Sequence, residues 1–275
     1  MDAAVIASPA NPRIKALLDL RRRRHRDERG ECVVEGRDEL ALVLRAGARP
    51  RAVYHCPELF ESPAAAGHAE PGELLQEAER RGAELVRLSR AAYAKACYRQ
   101  GPDGMLAVLP APDTTLSALV LPDMPLVVVA QGVEKPGNLG AMLRTADAAG
   151  VTALIAADPV TDWSNPNVVR ASKGTVFAVP VTRDTSAATL DWLSERSIPL
   201  IAATGDADTS YDEIDYRGPV AIAVGAEHTG LNTRLLAGAA ARVSIPMRGL
   251  ADSLNVATAM ALVTFEAVRQ RRRGR

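Results

Sequence analysis

The 275 residues are 47% hydrophobic and carry 33 basic against 33 acidic side chains, a formal net charge of zero. That content can fill a core and excludes a disordered chain, while the charge balance means that any grip on a polyanion must come from local arrangement. Cys32, Cys56 and Cys97 make no CxxC pair and adjoin no histidine pattern, which argues against a disulfide framework and a zinc site and fits a reducing cytosol.

The opening MDAAVIASPANPRIK lacks an apolar run flanked by basic residues, and no later stretch approaches an uncharged membrane-spanning length; the expectation is a cytoplasmic chain with no membrane association. Residues 14–20, 39–46 and 74–81 read as helices, and 32–35 and 52–55 as short strands, giving a small α/β domain over residues 1–110. Arg21, Arg22, Arg23 and Arg24, with Arg13, Lys15, Arg26 and Arg29 nearby, form its strongest basic cluster. Such a helix can neutralise phosphates; the competing reading is a solvated face paired with Asp19, Asp27 and Glu28. Aromatic residues are 4% of the chain, so recognition of RNA shape and backbone is expected over base stacking.

The turn-rich stretch from Pro110, with Pro122 and Pro125 following, cannot continue a helix and reads as a linker over 111–125. Beyond it, apolar strands are expected at LVVVA (126–130), ALIAA (153–157), VFAVPV (176–181), LIAA (200–203), VAIAV (220–224) and RVSI (242–245), separated by helices. Unbroken apolar strands alternating with helices predict a mostly parallel sheet covered on both faces, over a domain of residues 126–275. Ligands in such sheets sit beyond the carboxyl ends of the strands. The terminal RQRRRGR reads as a frayed basic tail.

Three loops carry unusual chemistry. The first, GVEKPGNLGAMLRTA from Gly132, follows a strand and opens a helix, a geometry suited to anions. Gly132 and Gly137 have P-loop spacing, but Asn138 and Leu139 stand where Lys and Ser/Thr are required, and no GxGxxG occurs, which disfavours an ordinary nucleotide enzyme. What remains is Asn138 with Arg144, suited to a phosphate or a sugar hydroxyl. The second loop sets Glu227 between Gly225 and Gly230, where the backbone can approach a ligand; His228 reads as an exposed loop histidine rather than a general base. In the third, Ile245 to Asn255, Asp252 or Ser253 can cap the following helix, while Met247, Ser253 and Asn255 gather at the end of another strand.

In this order the blocks NLGAMLRTA, GAEHTG and IPMRGLADSLNV, with a trailing E…RQR, resemble the signature of the SpoU, or TrmH, family of RNA 2′-O-ribose methyltransferases in the SPOUT superfamily. The segment from Val169 and Arg170 to Phe177 resembles the family's intermediate block, and Ser8 to Lys15 with Val34 to Arg37 its substrate-binding extension. The resemblance implies an α/β fold whose parallel sheet, flanked by helices, ends in a C-terminal trefoil knot, preceded by a small α/β RNA-binding domain. It implies S-adenosylmethionine as cofactor, bound by Thr204, Gly205, Gly225, Glu227, Ile245, Met247, Leu254 and Asn255. It implies Arg144 at the centre of catalysis with Asn138, Glu227, Ser253 and Asn255 around it, no metal, and a homodimer in which Arg170 acts on the partner's substrate. The expected substrate is a structured ribosomal or transfer RNA, with Arg21 to Arg24 and Arg170 as contacts. A non-catalytic RNA-binding or ribosome-assembly protein retaining the fold is the alternative.

Overall fold

A computed structural model of the chain describes residues 5–60, 69–98, 101–227 and 229–273. The chain divides into two units: Met1–Pro112 together with Asp162–Ala178, and Asp113–Thr161 together with Val179–Arg275.

In the first unit, helix α1 (Pro12–Asp19) starts where sequence chemistry dictates: Pro12 stands at its first position and the Asn11 side chain accepts a hydrogen bond from Arg13 N. Helix α2 (Arg23–Arg29) ends at Gly30, which takes the left-handed φ of 61°. There follow β1 (Glu31–Glu35), α3 (Arg37–Arg45), β2 (Ala52–His55), α4 (Pro71–Arg80), β3 (Glu84–Arg87), α5 (Arg90–Ala96) and β4 (Met105–Pro110). The sheet order is β1-β4-β2-β3, with β4 antiparallel to both neighbours and β2 parallel to β3. Ile14, Leu17 and Leu20 of the α1 region pack into one apolar cluster with Val86, Tyr93 and Leu106.

The downstream excursion completes this unit. It carries α7 (Pro166–Ala171), which contacts β1, and the buried Trp163. Asp162 receives Arg26 in a two-pronged ion pair, Nη2 to Oδ2 at 2.6 Å and Nε to Oδ1 at 3.3 Å. Arg26 is 3% exposed, so this pair lies in the interior.

In the second unit come β5 (Leu126–Gln131), α6 (Pro136–Ala149), β6 (Ala153–Ala157), β7 (Val181–Asp184), α8 (Ser186–Glu195), β8 (Leu200–Ala203), β9 (Val220–Val224), α9 (Thr233–Gly238), β10 (Ala241–Val243) and α10 (Val256–Arg273), with α-helices of this unit between the strands except at β6–β7 and β8–β9. The six strands lie in the order β10-β8-β9-β5-β6-β7, and every neighbouring pair is parallel. One sheet face, with Val127, Val129, Ile155 and Ala221, packs on Trp192 and Leu193 of α8 and Leu235 of α9. Strand alternation turns Val128, Leu154 and Ile222 to the other face, where α10 contacts both β9 and α6. Leu116, in the proline-rich stretch before β5, is buried in this unit's core, so that stretch is docked rather than free.

Two expectations are corrected. The run 176–181 is not a strand: Thr175–Phe177 form a 3₁₀ turn of the first unit, and β7 starts only after Pro180. Pro180 has no N–H for a ladder, yet its carbonyl accepts from Leu154 N at 2.9 Å and launches the pairing of β7 with β6. The basic run from Arg269 is not frayed before Arg273, because α10 continues through it. Arg271 donates to the carbonyls of Tyr216, Met124, Pro125 and Gly218, and Gln270 to that of Ile214.

Candidate functional site

The carboxyl ends of β8, β9 and β10 open into a cavity of about 200 Å³ within the second unit. Its wall takes Thr204 and Gly205 from the end of β8, Gly225 and Glu227 from the loop after β9, and Ile245 from the loop after β10. Met247, Ser253 and Leu254 line it from the segment leading into α10. The cavity stands where ligands of open parallel sheets bind.

Glycine is required in the second loop by close approach rather than by freedom. A Cβ on Gly225 would lie 2.1 Å from the Gly230 carbonyl carbon, because the loop folds back with Gly230 N donating to Ala226 O at 2.9 Å. Gly230 itself has φ of 62°, the left-handed region that favours glycine. The pinch fixes Glu227 at the cavity wall.

Glu227 is a junction of three chain segments. Asn138, in the first turn of α6, donates to its Oε1 at 2.7 Å, and Asn255, just before α10, donates to the same oxygen at 3.2 Å. Asn255 also donates to Asn138 Oδ1 at 3.1 Å. Lys135, immediately before α6, ion-pairs with Glu227 Oε2. Lys135 was not among the sequence candidates; its place before Pro136, which starts the helix, was the available signal.

Arg144 is exposed on α6 and has no hydrogen-bond or ion-pair partner among the described residues, which leaves its donors available. Ser253 donates to Asp252 Oδ1 at 3.1 Å, and the Thr204 hydroxyl donates to Asp206 at 2.5 Å, holding that carboxyl below the usual range. His228 lies outside the described residues. Of the residues expected to hold a cofactor, seven line the cavity and the eighth, Asn255, reaches Glu227 from beside it. Among the described residues no cluster of His, Cys, Asp or Glu could hold a metal ion, and no helix is long and apolar enough to cross a membrane.

The arginines expected to meet RNA fall into two groups within the first unit. Arg23 and Arg24 pair with Asp27 and Glu28 one helical turn on. Arg21 donates instead to the carbonyls of Ala96 and Cys97, and Arg170 to Asn167 Oδ1, while Arg22 is exposed.

Residues 125–265 match the model of the SpoU rRNA Methylase family, and residues 11–107 that of the MRM3-like substrate binding domain. The 23S rRNA (guanosine-2'-O-)-methyltransferase RlmB of Shewanella oneidensis is 40% identical over 151 residues, which are 54% of this chain and 61% of that protein. The match thus spans less than two thirds of this relative's length. A crystal structure of an RNA 2'-O ribose methyltransferase is 39% identical with a TM-score of 0.80, covering 98% of this chain and 99% of that one. The AdoMet-bound rRNA methyltransferase of Sinorhizobium meliloti is 28% identical with a TM-score of 0.84, covering 97% of this chain and 98% of that one. The convergence of the three loops at one end of the sheet and these matches lead to one conclusion: the chain belongs to the SpoU rRNA methylase family.

Proposed function

We propose that this chain transfers the methyl group of S-adenosylmethionine to a ribose 2′-hydroxyl of ribosomal RNA. The observation that carries the reading is the Glu227 junction beside a cavity at the carboxyl ends of three parallel strands. The reactions named for the relatives, and the AdoMet bound in a neighbour of the same fold, support it.

The cavity suits the donor chemically. Gly205, Gly225 and Gly230 expose backbone, against which a purine and ribose can hydrogen-bond, and Ile245, Met247 and Leu254 supply apolar surface. In this reading Thr204, Gly205, Gly225, Glu227, Ile245, Met247, Leu254 and Asn255 hold the donor. When bound it supplies an electrophilic methyl carbon on a sulfonium. Asn138, Glu227, Ser253 and Asn255 orient the reactants, since alignment of the attacking oxygen is the main task in such a displacement. Arg144 binds the phosphate beside the target ribose and donates hydrogen bonds to charge developing on the ribose oxygen. A guanidinium stays protonated, so the proton passes to a phosphate oxygen or water rather than to Arg144.

The wider reading places RNA binding in residues 1–110, a linker over 111–125 and the reaction in 126–275. It threads a trefoil knot through Thr204, the Gly225–Gly230 loop and the segment from Ile245 to Asn255. It pairs two copies as a homodimer in the cytoplasm, with Arg170 reaching the partner's RNA. The test is incubation of the purified protein with tritiated S-adenosylmethionine and 23S rRNA, followed by mapping of ribose methylation through resistance to alkaline hydrolysis. A single resistant site, absent with Arg144→Ala, is the expected result. Binding of rRNA without uptake of the donor overturns the reading in favour of a non-catalytic RNA-binding or ribosome-assembly role.

A further inference from the structure

Tyr98, just past the end of α5, carries two arginines on one ring: the Arg21 guanidinium carbon lies 5.2 Å from the ring centroid and that of Arg170 lies 5.6 Å from it. The three side chains share the rim of a small pit floored by Leu17, Val33 and Leu106. All three are exposed at their outer edges.

The arrangement is held from several sides. Arg21 Nη2 donates to the carbonyls of Ala96 at 3.0 Å and Cys97 at 2.9 Å. Arg170 donates to Asn167 Oδ1 at 3.0 Å, and Asn167 Nδ2 in turn donates to the Tyr98 hydroxyl at 3.5 Å. Tyr98 N donates to both carboxylate oxygens of Glu35, at 3.0 and 3.2 Å, which fixes the backbone that carries the ring.

Charge separates this pair from four arginines of the unit, and the shared ring separates it from the rest. Arg13, Arg23, Arg24 and Arg29 each meet a carboxylate, on Glu84, Asp27, Glu28 and Asp19. Among the described residues neither Arg21 nor Arg170 has a carboxylate partner. Two like charges gathered on one ring repel each other, and an anion lying between them relieves that repulsion. A ring beneath a guanidinium covers one face, and with Nη2 held by its carbonyl or amide-oxygen acceptors each arginine keeps Nε and Nη1 to donate to phosphate oxygens.

We propose that Arg21 and Arg170 form a clamp for a phosphodiester of the substrate RNA, and that Tyr98 is its positioning residue. The proposal rests on the RNA reading above only in taking RNA as the polyanion. The aromatic ring acts through the arginines, not by stacking on a base.

Filter binding of labelled 23S rRNA between 50 and 200 mM salt tests it on four proteins: the parent, Y98L, Y98F and R21A/R170A. Loss of both arginines should weaken binding and reduce the slope of log Kd against log salt by roughly 0.7 to 1, the release expected for one neutralised phosphate. Y98L should weaken binding about fivefold or more and raise the KM for RNA without lowering kcat, and Y98F, which keeps the ring, should restore affinity. Adding Y98L to R21A/R170A should cost nothing further. Thermal melts followed by circular dichroism report intact folding of each variant; should Y98L misfold, the surface pair R21A/R170A still decides the question through the salt slope. An unchanged slope in R21A/R170A, an unchanged Kd in Y98L, or a further loss when the three changes are combined overturns the clamp. A parent that binds 23S rRNA but never methylates it overturns the proposed reaction and leaves the clamp standing.

Discussion

Asn138 and Asn255, 117 residues apart, donate to the same carboxylate oxygen of Glu227, at 2.7 and 3.2 Å. One acceptor therefore ties the start of α6 to the start of α10. Replacing Glu227 by Ala leaves the Asn138 amide and the Lys135 ammonium without their acceptor and Asn255 with Asn138 Oδ1 alone. Methyl transfer should fall about a hundredfold, the scale of losing a positioned polar group in a reaction site. Asn138→Ala and Asn255→Ala should then be non-additive, because they share the junction. Parental activity in all three variants would show the junction to be irrelevant to turnover.

Arg144→Lys keeps a positive charge and loses the planar fork. Single-turnover methyl transfer is expected to drop by roughly 10²-fold while S-adenosylmethionine still binds by calorimetry. A lysine variant with parental turnover would remove Arg144 from its proposed role.

Gly225→Ala places a methyl 2.1 Å from the Gly230 backbone, which cannot yield as a flexible side chain would. The loop must open, displacing Glu227 from the cavity wall. Donor affinity measured by calorimetry should weaken by about tenfold or more, while circular dichroism retains the signal of the remaining helices and strands.

Arg26→Ala leaves the Asp162 carboxylate in the interior without its cation. Breaking a buried pair from one side costs about 3–5 kcal/mol, so the urea midpoint should fall sharply. The double change Arg26→Met with Asp162→Leu should recover most of that loss, since an apolar pair needs no desolvation. Urea titrations followed by intrinsic fluorescence make the comparison.

Burial pushes the Cys32 thiol from its ordinary 9.0 up to about 12. Its folded pKa is thus above the unfolded one: the associated stability is fully present below pH 9 and is lost as pH rises toward 12, because the unfolded chain ionises first. Desolvation raises the Tyr216 phenol as well, which acts in the same direction. Thermal melts should show stability falling above pH 9, less steeply in Cys32→Ala. Iodoacetamide at pH 8 should leave Cys32 unlabelled in the native protein.

The parallel sheet was legible because its strands are apolar on both faces, and LVVVA, ALIAA and VAIAV announce that directly. The loop ends were legible as glycine-bracketed polar residues at strand termini. Lys135 was harder to read, since a lysine before a helix start has many ordinary uses and its partner is 92 residues away. The run 176–181 misleads because its hydrophobicity is real while its backbone is governed by Gly174, with φ of 86°, and Pro180. Nor does local sequence disclose that Asp162 belongs with Arg26, for that pairing spans 136 residues and arises only from packing. Arg271 reads as solvent-facing because carbonyl acceptors contributed by distant turns leave no trace in composition.

The excursion that carries Asp162 and α7 back to the amino-terminal sheet makes the chain a poor candidate for simple dissection. A fragment ending at Pro112 would expose the flank of β1 and strand a charged guanidinium beneath its surface. Exchange of RNA-reading modules between homologues therefore has to carry two noncontiguous gene segments, and a recombination crossover placed solely in the proline-rich junction will yield chimaeras that fail to fold.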